Sequence, residues 1–266
     1  MGLGTPASAA IAPLVLSGRL VQGGFAIGRT APLATLDLDG EIVGMASADG
    51  WFFLGFDRDA PLTQILTVTT PDGSASQTLA IAPGDFDIQQ INGLAADQVA
   101  PEDPLLLARI AAEGERKAKG FSSLADLDAF KDGFVLPVTG ARRSARFGGQ
   151  RILNGEPRRP HFGVDLAAPV GTPVRAPAGG QVSFAETGLH FEGGLVLIDH
   201  GQGLITAYLH LSKVIVMAGD LVTQGQEIGA VGREGRATGP HLCWRMKWRG
   251  RNLDPSLMVD LRRPRL

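Results

Sequence analysis

The stretch LVLIDHGQGLITAYLHL, residues 195–211, contains two apolar runs separated by a glycine-rich turn. The runs at 195–199 and 204–209 have the length of strands and are rich in apolar and branched residues, and Gly201-Gln-Gly203 between them is typical of a turn. Two strands joined by so short a connection pair in antiparallel fashion. The stretch therefore predicts a hairpin inside an antiparallel sheet.

The same alternation of short apolar runs and turns continues on both sides of this hairpin. Further strands are predicted at residues 181–185, 213–217, 227–231 and 242–248. Turn signals separate them, and helical periodicity is weak throughout residues 134–266. These residues are therefore predicted to form one antiparallel β domain.

The upstream half predicts a small β module followed by a helical connector. Short strands punctuated by Asp-Gly turns make residues 18–90 typical of a β-sandwich-like module. Residues 91–133 are predicted to be the connector, with one helix over 105–119 between Pro104 and Gly120 and a second, short helix over 124–130. Residues 1–17 are expected to be a flexible N-terminus. The fold class is thus mainly β.

Charge is unevenly distributed along the 266 residues. Residues 1–133 carry 8 Lys+Arg and 17 Asp+Glu, a net charge of −9, whereas residues 134–266 carry 17 and 10, a net charge of +7. A basic domain often meets an anionic partner such as nucleic acid, lipid or a cell-wall polymer. The two halves could equally attract each other, so charge alone leaves the partner open. The β module lacks a titratable cluster and is interpreted as structural or as a surface for a protein partner.

Cysteine content and apolar runs exclude two classes of protein. The single cysteine, Cys243, excludes an intramolecular disulfide framework. No run of about 18 apolar residues exists, so no transmembrane helix is expected. The N-terminal residues lack a basic segment and a long apolar stretch, and a signal peptide is not evident.

Metal-binding and proton-transferring residues recur at informative positions in the second domain. His241 and Cys243 are two apart in a predicted strand, so both side chains can face one cavity. His210 lies at a strand end, and His161 and Asp165 flank a flexible Gly163.

A catalytic zinc site needs three N, O or S ligands and an open position. His161, Asp165 and either His241 or Cys243 would supply the ligands, and the remaining histidines could act as general base and oxyanion partner. Lone histidines and cysteines are more often structural, which is the interpretation given to His190 and His200.

Residues 134–257 resemble the lysostaphin-type zinc endopeptidases, which cut peptidoglycan cross-bridges and stem peptides. The resemblance rests on segments that occur in order: SARFG at 144–148, HFGVDLAAP at 161–169, GTPV at 171–174, AYLHLS at 207–212, GDLVTQGQEIG at 219–229 and TGPHL at 238–242. The first half resembles only the variable N-terminal extensions of such proteins.

The resemblance implies a role for each site residue. Zinc ligands fall on His161 and Asp165, and the two catalytic histidines that do not hold the metal fall on His210 and His241. The third ligand, the second histidine of the family's His-x-His element, falls on Cys243.

Three further residues are predicted near the substrate. Thr238 matches the family's small hydroxyl residue and is predicted in the substrate site together with Asn154. In this family an upstream segment can occlude the groove, and Asn92 or Asn154 could then supply a fourth zinc ligand.

These assignments predict a zinc-dependent endopeptidase of peptidoglycan, acting in the periplasm or cell envelope, with no nucleic-acid partner. A thiolate ligand makes the zinc site formally neutral, and a less positive metal acidifies its water less, so the enzyme is expected to bind metal but to be slow. The basic surface would suit an anionic wall through Arg142, Arg143, Arg151, Arg158 and Arg159.

Parts of the sequence are also compatible with two other functions. An impaired family member would bind the cell wall or activate other hydrolases. Residues 174–182 and 219–226 also resemble the hairpins of lipoyl and biotinyl carrier domains, but no lysine lies at a tight hairpin tip.

Overall fold

The computed structural model describes residues 14–94 and 96–259. The strands, in chain order, are β1 Val15–Arg19, β2 Phe25–Arg29, β3 Thr35–Leu38, β4 Glu41–Met45, β5 Trp51–Gly55, β6 Thr63–Thr70, β7 Gly73–Ala80, β8 Ile88–Ile91, β9 Arg142–Ala145, β10 Gln150–Leu153, β11 Glu156–Pro157, β12 Val164–Ala167, β13 Pro173–Arg175, β14 Gly180–Leu189, β15 Gly193–Asp199, β16 Leu204–Leu211, β17 Lys213–Val214, β18 Leu221–Val222, β19 Glu227–Ala230, β20 His241–Trp248 and β21 Arg251–Leu253. The helices are α1 Ala96–Val99, α2 Pro104–Phe121 and α3 Ser256–Val259, with one 3-10 helix at Ala129–Asp132. Among these described helices, none has the length and apolar character needed to cross a bilayer.

The upstream β module consists of two small sheets. One has the strand order β1-β2-β5 and the other β4-β3-β6-β7. In β6 buried and exposed positions alternate, because one face of the strand packs on the core and the other faces solvent. The stacked rings of Phe25 and Phe53, 5.6 Å apart, lie in that core. The mainly β, sandwich-like character predicted for this part of the chain is confirmed.

The second domain is built on one eight-stranded sheet. Its order is β18-β14-β15-β16-β20-β12-β9, with β21 on β20, and all these pairs are antiparallel. The 195–211 stretch forms the central hairpin β15–β16, in which every residue of both strands is buried. The predicted antiparallel architecture is therefore confirmed.

One predicted strand is much shorter than expected. The strand predicted at 213–217 ends at Val214. Asp220 Oδ2 accepts a hydrogen bond from the backbone N–H of Met217 at 2.8 Å and closes a turn there. The Ile215 N–H still donates to the Ile228 carbonyl at 3.2 Å, but at Met217 the backbone enters the turn and the strand pairing ends.

The connector contains the predicted long helix, with one change at its C-terminal end. α2 begins at Pro104, and Asp103 caps it by accepting the Leu105 N–H at 2.8 Å. It continues past Gly120, whose missing side chain lets the helix approach the sheet: a Cβ there would lie 2.8 Å from Phe184 Cβ and 2.9 Å from Leu197 Cδ1. Gly120 is therefore a packing residue and not the end of the helix.

The short helix predicted over 124–130 is wrong. The structure has a 3-10 helix only at Ala129–Asp132. Upstream of it, the Ala125 N–H donates to Asp199 Oδ2 at 2.7 Å, so this backbone is held by the second domain instead of by helical hydrogen bonds.

The two halves of the molecule share one hydrophobic core. Phe53 of β5 packs against Phe130 and Trp248, with ring centroids 5.6 and 6.1 Å apart. Gln202, in the β15–β16 turn, accepts from the Phe53 N–H and donates to the Trp51 carbonyl. The module is thus packed and hydrogen-bonded onto the sheet.

Two observations bear on the expected domain boundaries, which stay predictions. β8 pairs in parallel with β10, so the boundary expected at residues 90/91 falls inside a strand that belongs with the second domain. Of the N-terminus expected to be flexible, residues 1–13 lie outside the described residues, and β1 already begins at Val15.

His200, interpreted from the sequence as a structural histidine, is buried and makes two hydrogen-bond contacts within the fold. Its Nδ1 is 2.6 Å from the Gly179 carbonyl and its Nε2 is 2.7 Å from Thr206 Oγ1, and burial lowers its pKa to about 4. In the unfolded chain the ring titrates near about pH 6.5. Between these values the unfolded chain binds more protons, so stability is lost as the pH falls.

We expect the melting temperature to drop as the pH is lowered from about 6.5 to about 4, with His200 contributing about 3 kcal/mol of the lost stability. His200→Gln should show a shallower drop in thermal unfolding, because glutamine does not titrate. His190→Gln, at a half-buried histidine, is the matched control. An equally steep drop in both variants would contradict the assignment.

Candidate metal centre

Strand register brings the predicted site residues together. In the β12–β20 pair, Asp165 lies opposite Cys243 and Ala167 opposite His241. In the β16–β20 pair, Leu209 lies opposite Cys243, which places His210 beside the same position. His161 precedes β12. All three segments therefore meet at one end of the central sheet.

Three side chains present a compact set of metal-binding atoms. His161 Nε2 lies 3.1 Å from Asp165 Oδ1 and 3.3 Å from Cys243 Sγ. One donor atom from each residue lies within 4.8 Å of the others. A tetrahedral zinc ion with bonds of about 2.0–2.3 Å separates its ligand atoms by roughly 3.3–3.8 Å. Small displacements therefore suffice for the three atoms to hold zinc.

The chemistry of the donors also fits a metal. Asp165 Oδ1 is buried and receives no hydrogen bond of proper geometry, so it retains lone pairs for a cation. Burial would raise the pKa of the Asp165 carboxyl, but the close contact with His161 at 3.1 Å and the charges of His161, His241 and Arg151 hold that pKa well below its usual range. The carboxylate is therefore ionised and available as a ligand.

The two remaining histidines form a pair beside the donor set. The rings of His210 and His241 have centroids 4.8 Å apart. His210 Nδ1 donates to the Glu234 carbonyl at 2.7 Å, and His241 Nδ1 donates to the Gly239 carbonyl at 2.8 Å. These bonds fix the tautomers and leave both Nε2 atoms as acceptors. His241 Nε2 lies 3.8 Å from Asp165 Oδ1.

Burial keeps this pair neutral. It lowers the pKa of His210 to about 4 and also lowers the pKa of His241. His210 has φ +66°, a left-handed conformation that is uncommon outside glycine. Such strain is kept where the surrounding structure imposes it, and it commonly marks functional sites.

Arg245 is a site residue that the sequence reasoning missed. Its Nε donates to Cys243 Sγ at 3.4 Å. Burial alone would lower the pKa of the Arg245 guanidinium, but the Cys243 charge and this hydrogen bond raise it. The signal was present, because Arg245 follows Cys243 by two residues in β20 and so faces the same side of the sheet. Arg151, predicted only as part of the basic surface, lies 3.5 Å from Asp165 Oδ2.

The site opens into a groove of about 670 Å³, called here the site groove. Asp165, His241 and Thr238 line it, and so do Arg143 and Arg151. The role in substrate binding expected for Thr238 stays a prediction. Asp87 and Gln89, from the segment that contains β8, form part of its wall.

Asn154 lies away from the groove. Its side chain exchanges two hydrogen bonds with the Leu94 backbone, at 2.8 and 3.2 Å. Asn92 lines a smaller cavity next to Thr238, and it is not part of the three-residue donor group. Roles in substrate or zinc binding for these two asparagines stay predictions.

Comparison with known proteins identifies the domain. Residues 159–255 match the model of peptidase family M23. The peptidoglycan DD-endopeptidase ShyA of Vibrio cholerae is 44% identical over 108 residues, 37% of this chain and 25% of that protein. The DD-carboxypeptidase/endopeptidase Mpg of Neisseria meningitidis is 39% identical over 137 residues, 51% of this chain and 31% of that protein. The chain thus spans about a quarter to a third of the length of these curated relatives.

The similarity extends to the upstream half at the level of structure. A crystal structure assigned to peptidase M23 from Pseudomonas aeruginosa superposes with a TM-score of 0.68 and 27% sequence identity. The superposition covers 91% of this chain and 95% of that one. The arrangement of β module, connector and second domain is therefore shared, and the resemblance seen in the sequence is confirmed.

Proposed function

Because residues 159–255 form a peptidase family M23 domain, we propose that this protein is a zinc-dependent endopeptidase that cleaves peptide bonds of peptidoglycan. The observation that carries the proposal is the convergence of the His161, Asp165 and Cys243 donor atoms beside two neutral imidazoles. The names of ShyA and Mpg support peptidoglycan as the substrate class. Action in the periplasm or cell envelope follows from that substrate, and a protein partner for residues 18–90 stays a prediction.

In this proposal His161, Asp165 and Cys243 hold the zinc ion. When bound, zinc supplies a Lewis acid that polarises a carbonyl and makes water more acidic. The chain's own residues then handle the proton. His241, the nearer of the two rings to Asp165, accepts the proton of the attacking water at Nε2, and the carboxylate 3.8 Å away stabilises the resulting imidazolium.

The tautomers of the histidine pair require that a ring accepts a proton before it can donate a hydrogen bond to the substrate. Both rings carry their hydrogen on Nδ1, so neither can donate from Nε2 until it has been protonated. The first proton transfer therefore creates the donor that the developing oxyanion needs. With centroids 4.8 Å apart, two imidazolium rings would repel, so only one carries the proton at a time.

The test is hydrolysis of purified cross-linked peptidoglycan by the zinc-loaded protein. We expect release of peptides that stops on chelation and returns when zinc is restored. His241→Gln should retain zinc and lose activity by about a hundredfold or more, since the ring that it replaces accepts the proton of the attacking water and does not hold the metal.

His190→Gln serves as the matched control and should be as active as the unsubstituted protein. Binding of peptidoglycan without any hydrolysis in the presence of zinc would instead favour a wall-binding or hydrolase-activating protein.

A further inference from the structure

A second cavity, of about 880 Å³, lies between α2, β20 and the segment that contains Arg158 and Pro160. It is called here the basic cavity. Six cationic side chains that line it are Arg151, Arg158, Arg159, Arg236, Arg245 and Lys247. Among the described residues, Arg151 alone of these six has a carboxylate within 4 Å, that of Asp165. A seventh, Lys117, is neutralised by Glu192 at 2.7 Å. Glu192 is the only carboxylate among the described residues that line the cavity.

This concentration of like charge is costly. Burial lowers the pKa of Lys247, with the Arg245 charge adding to the effect. Burial also lowers the pKa of Arg236, and the charges of Arg151 and Arg245 add to it. The buried Nε of Arg158 has no hydrogen-bond partner among the described residues. Half-buried cations that repel one another destabilise a fold unless an anion is present.

The described part of the chain offers one carboxylate to the lining of this cavity, that of Glu192, which is paired with Lys117. An anion from outside the chain would balance the remaining cations. Guanidinium groups pair best with planar or tetrahedral oxyanions, to which they donate two hydrogen bonds at once. The volume of the cavity is in the range of pockets that take ligands of several residues, much more than a single inorganic ion fills.

The basic cavity borders the metal centre. His161, one of the proposed zinc ligands, lines the basic cavity, and Arg151 lines both this cavity and the site groove. The two cavities therefore adjoin at Arg151. The positive charge of the cavity and its position beside the metal centre both favour an acidic part of the substrate as the ligand.

We propose that the basic cavity binds free carboxylate groups of the peptide substrate, so that the enzyme favours acidic wall peptides over neutral ones. The inference rests on the proposed endopeptidase function and specifies its substrate class. It assigns Arg158 and Lys247 to substrate recognition, away from the zinc ligands and the histidine pair. Bridges built from neutral residues would be poor substrates.

The experiment compares two matched peptides that differ only in a free carboxylate against a carboxamide next to the cleaved bond. Binding to the zinc-loaded protein is measured by calorimetry, and hydrolysis by kcat and KM. We expect the acid to bind about tenfold or more tightly, through KM with little change in kcat, since hydrogen bonds to charged groups are the stronger ones.

Variants then assign the preference to the cavity. Arg158→Gln and Lys247→Gln should reduce the ratio of acid to amide binding towards one. Binding of the amide and zinc content should stay unchanged, and the melting temperature should not fall, because each variant removes one of the mutually repelling cations. Arg143→Gln, in the site groove, is the matched control and should retain the ratio.

Three results would overturn the proposal. Equal binding of acid and amide by the unsubstituted protein is one, and an unchanged ratio in both cavity variants is another. A third is stabilisation by inorganic phosphate, lost in the cavity variants, without any preference for the acidic peptide, because the cavity would then be a site for free phosphate. Failure to hydrolyse either peptide would count against the proposed function, and the binding ratio would still test the cavity.

Discussion

Asp165→Asn is expected to remove most of the bound zinc and to lower peptidoglycan hydrolysis by about a thousandfold or more. The Asp165 carboxylate is the negative charge at the centre of the site, with Oδ1 3.1 Å from His161 Nε2 and Oδ2 3.5 Å from Arg151 Nη2. An amide of the same shape keeps the packing but not the charge. The zinc ion would then have to bind next to a neutral amide, among positively charged side chains and without a carboxylate ligand. His241 would also lose the carboxylate that stabilises its protonated form.

Zinc content by elemental analysis and hydrolysis by peptide release measure the two effects separately. Asp220→Asn is the matched control, since that carboxylate only closes the Met217 turn. It should retain both zinc and activity. Full zinc occupancy in Asp165→Asn would exclude Asp165 as a ligand.

Cys243→His is expected to bind zinc but to lower the melting temperature by about 5 °C, the equivalent of about 2 kcal/mol. The introduced histidine restores the ligand type implied by the resemblance to the family. It also removes the sulfur atom that accepts from Arg245 Nε at 3.4 Å. A largely buried guanidinium would then lie beside a more positive metal centre without its acceptor.

The double variant with Arg245→Gln separates the two consequences. Removing the guanidinium should recover most of the lost stability, and the more positive metal should then raise kcat by about tenfold over the unsubstituted protein. An amide peptide is the proper substrate for this measurement, because Arg245 also lines the basic cavity. Strict additivity of the two substitutions in melting temperature would show that Cys243 and Arg245 do not interact.

Local patterns predicted most of the second domain. The runs at 181–185, 195–199, 204–209, 227–231 and 242–248 all lie within or across observed strands, because apolar runs bounded by glycine turns leave a chain few alternatives. The strand predicted at 213–217 is shorter than expected, because the Asp220 carboxylate accepts the Met217 N–H and forms a turn. The helix at 124–130 failed where Asp199, distant in sequence, accepts the Ala125 N–H. Such tertiary hydrogen bonds leave no periodic trace.

The site was predicted less completely than the fold. Spacing in β20 indicated that His241 and Cys243 share a face, but the meeting of Cys243 with Asp165 depends on the β12–β20 register, which no local pattern specifies. The resemblance to a family supplied that pairing. It could not supply Arg245, because the role of that residue follows from the cysteine at which this chain departs from the family.

Because β8 pairs in parallel with β10, residues that precede the connector helix in sequence lie beside the proposed active site of the second domain. Ile91 and Leu94, which precede α1, line a small cavity together with His210 and His241, and Asp87 and Gln89 form part of the groove wall. A fragment cut at the start of the second domain would keep all the proposed ligands yet lose one side of the substrate channel. In the proposed function the upstream segment therefore forms part of the substrate groove, and exchanging it between relatives is expected to alter substrate preference.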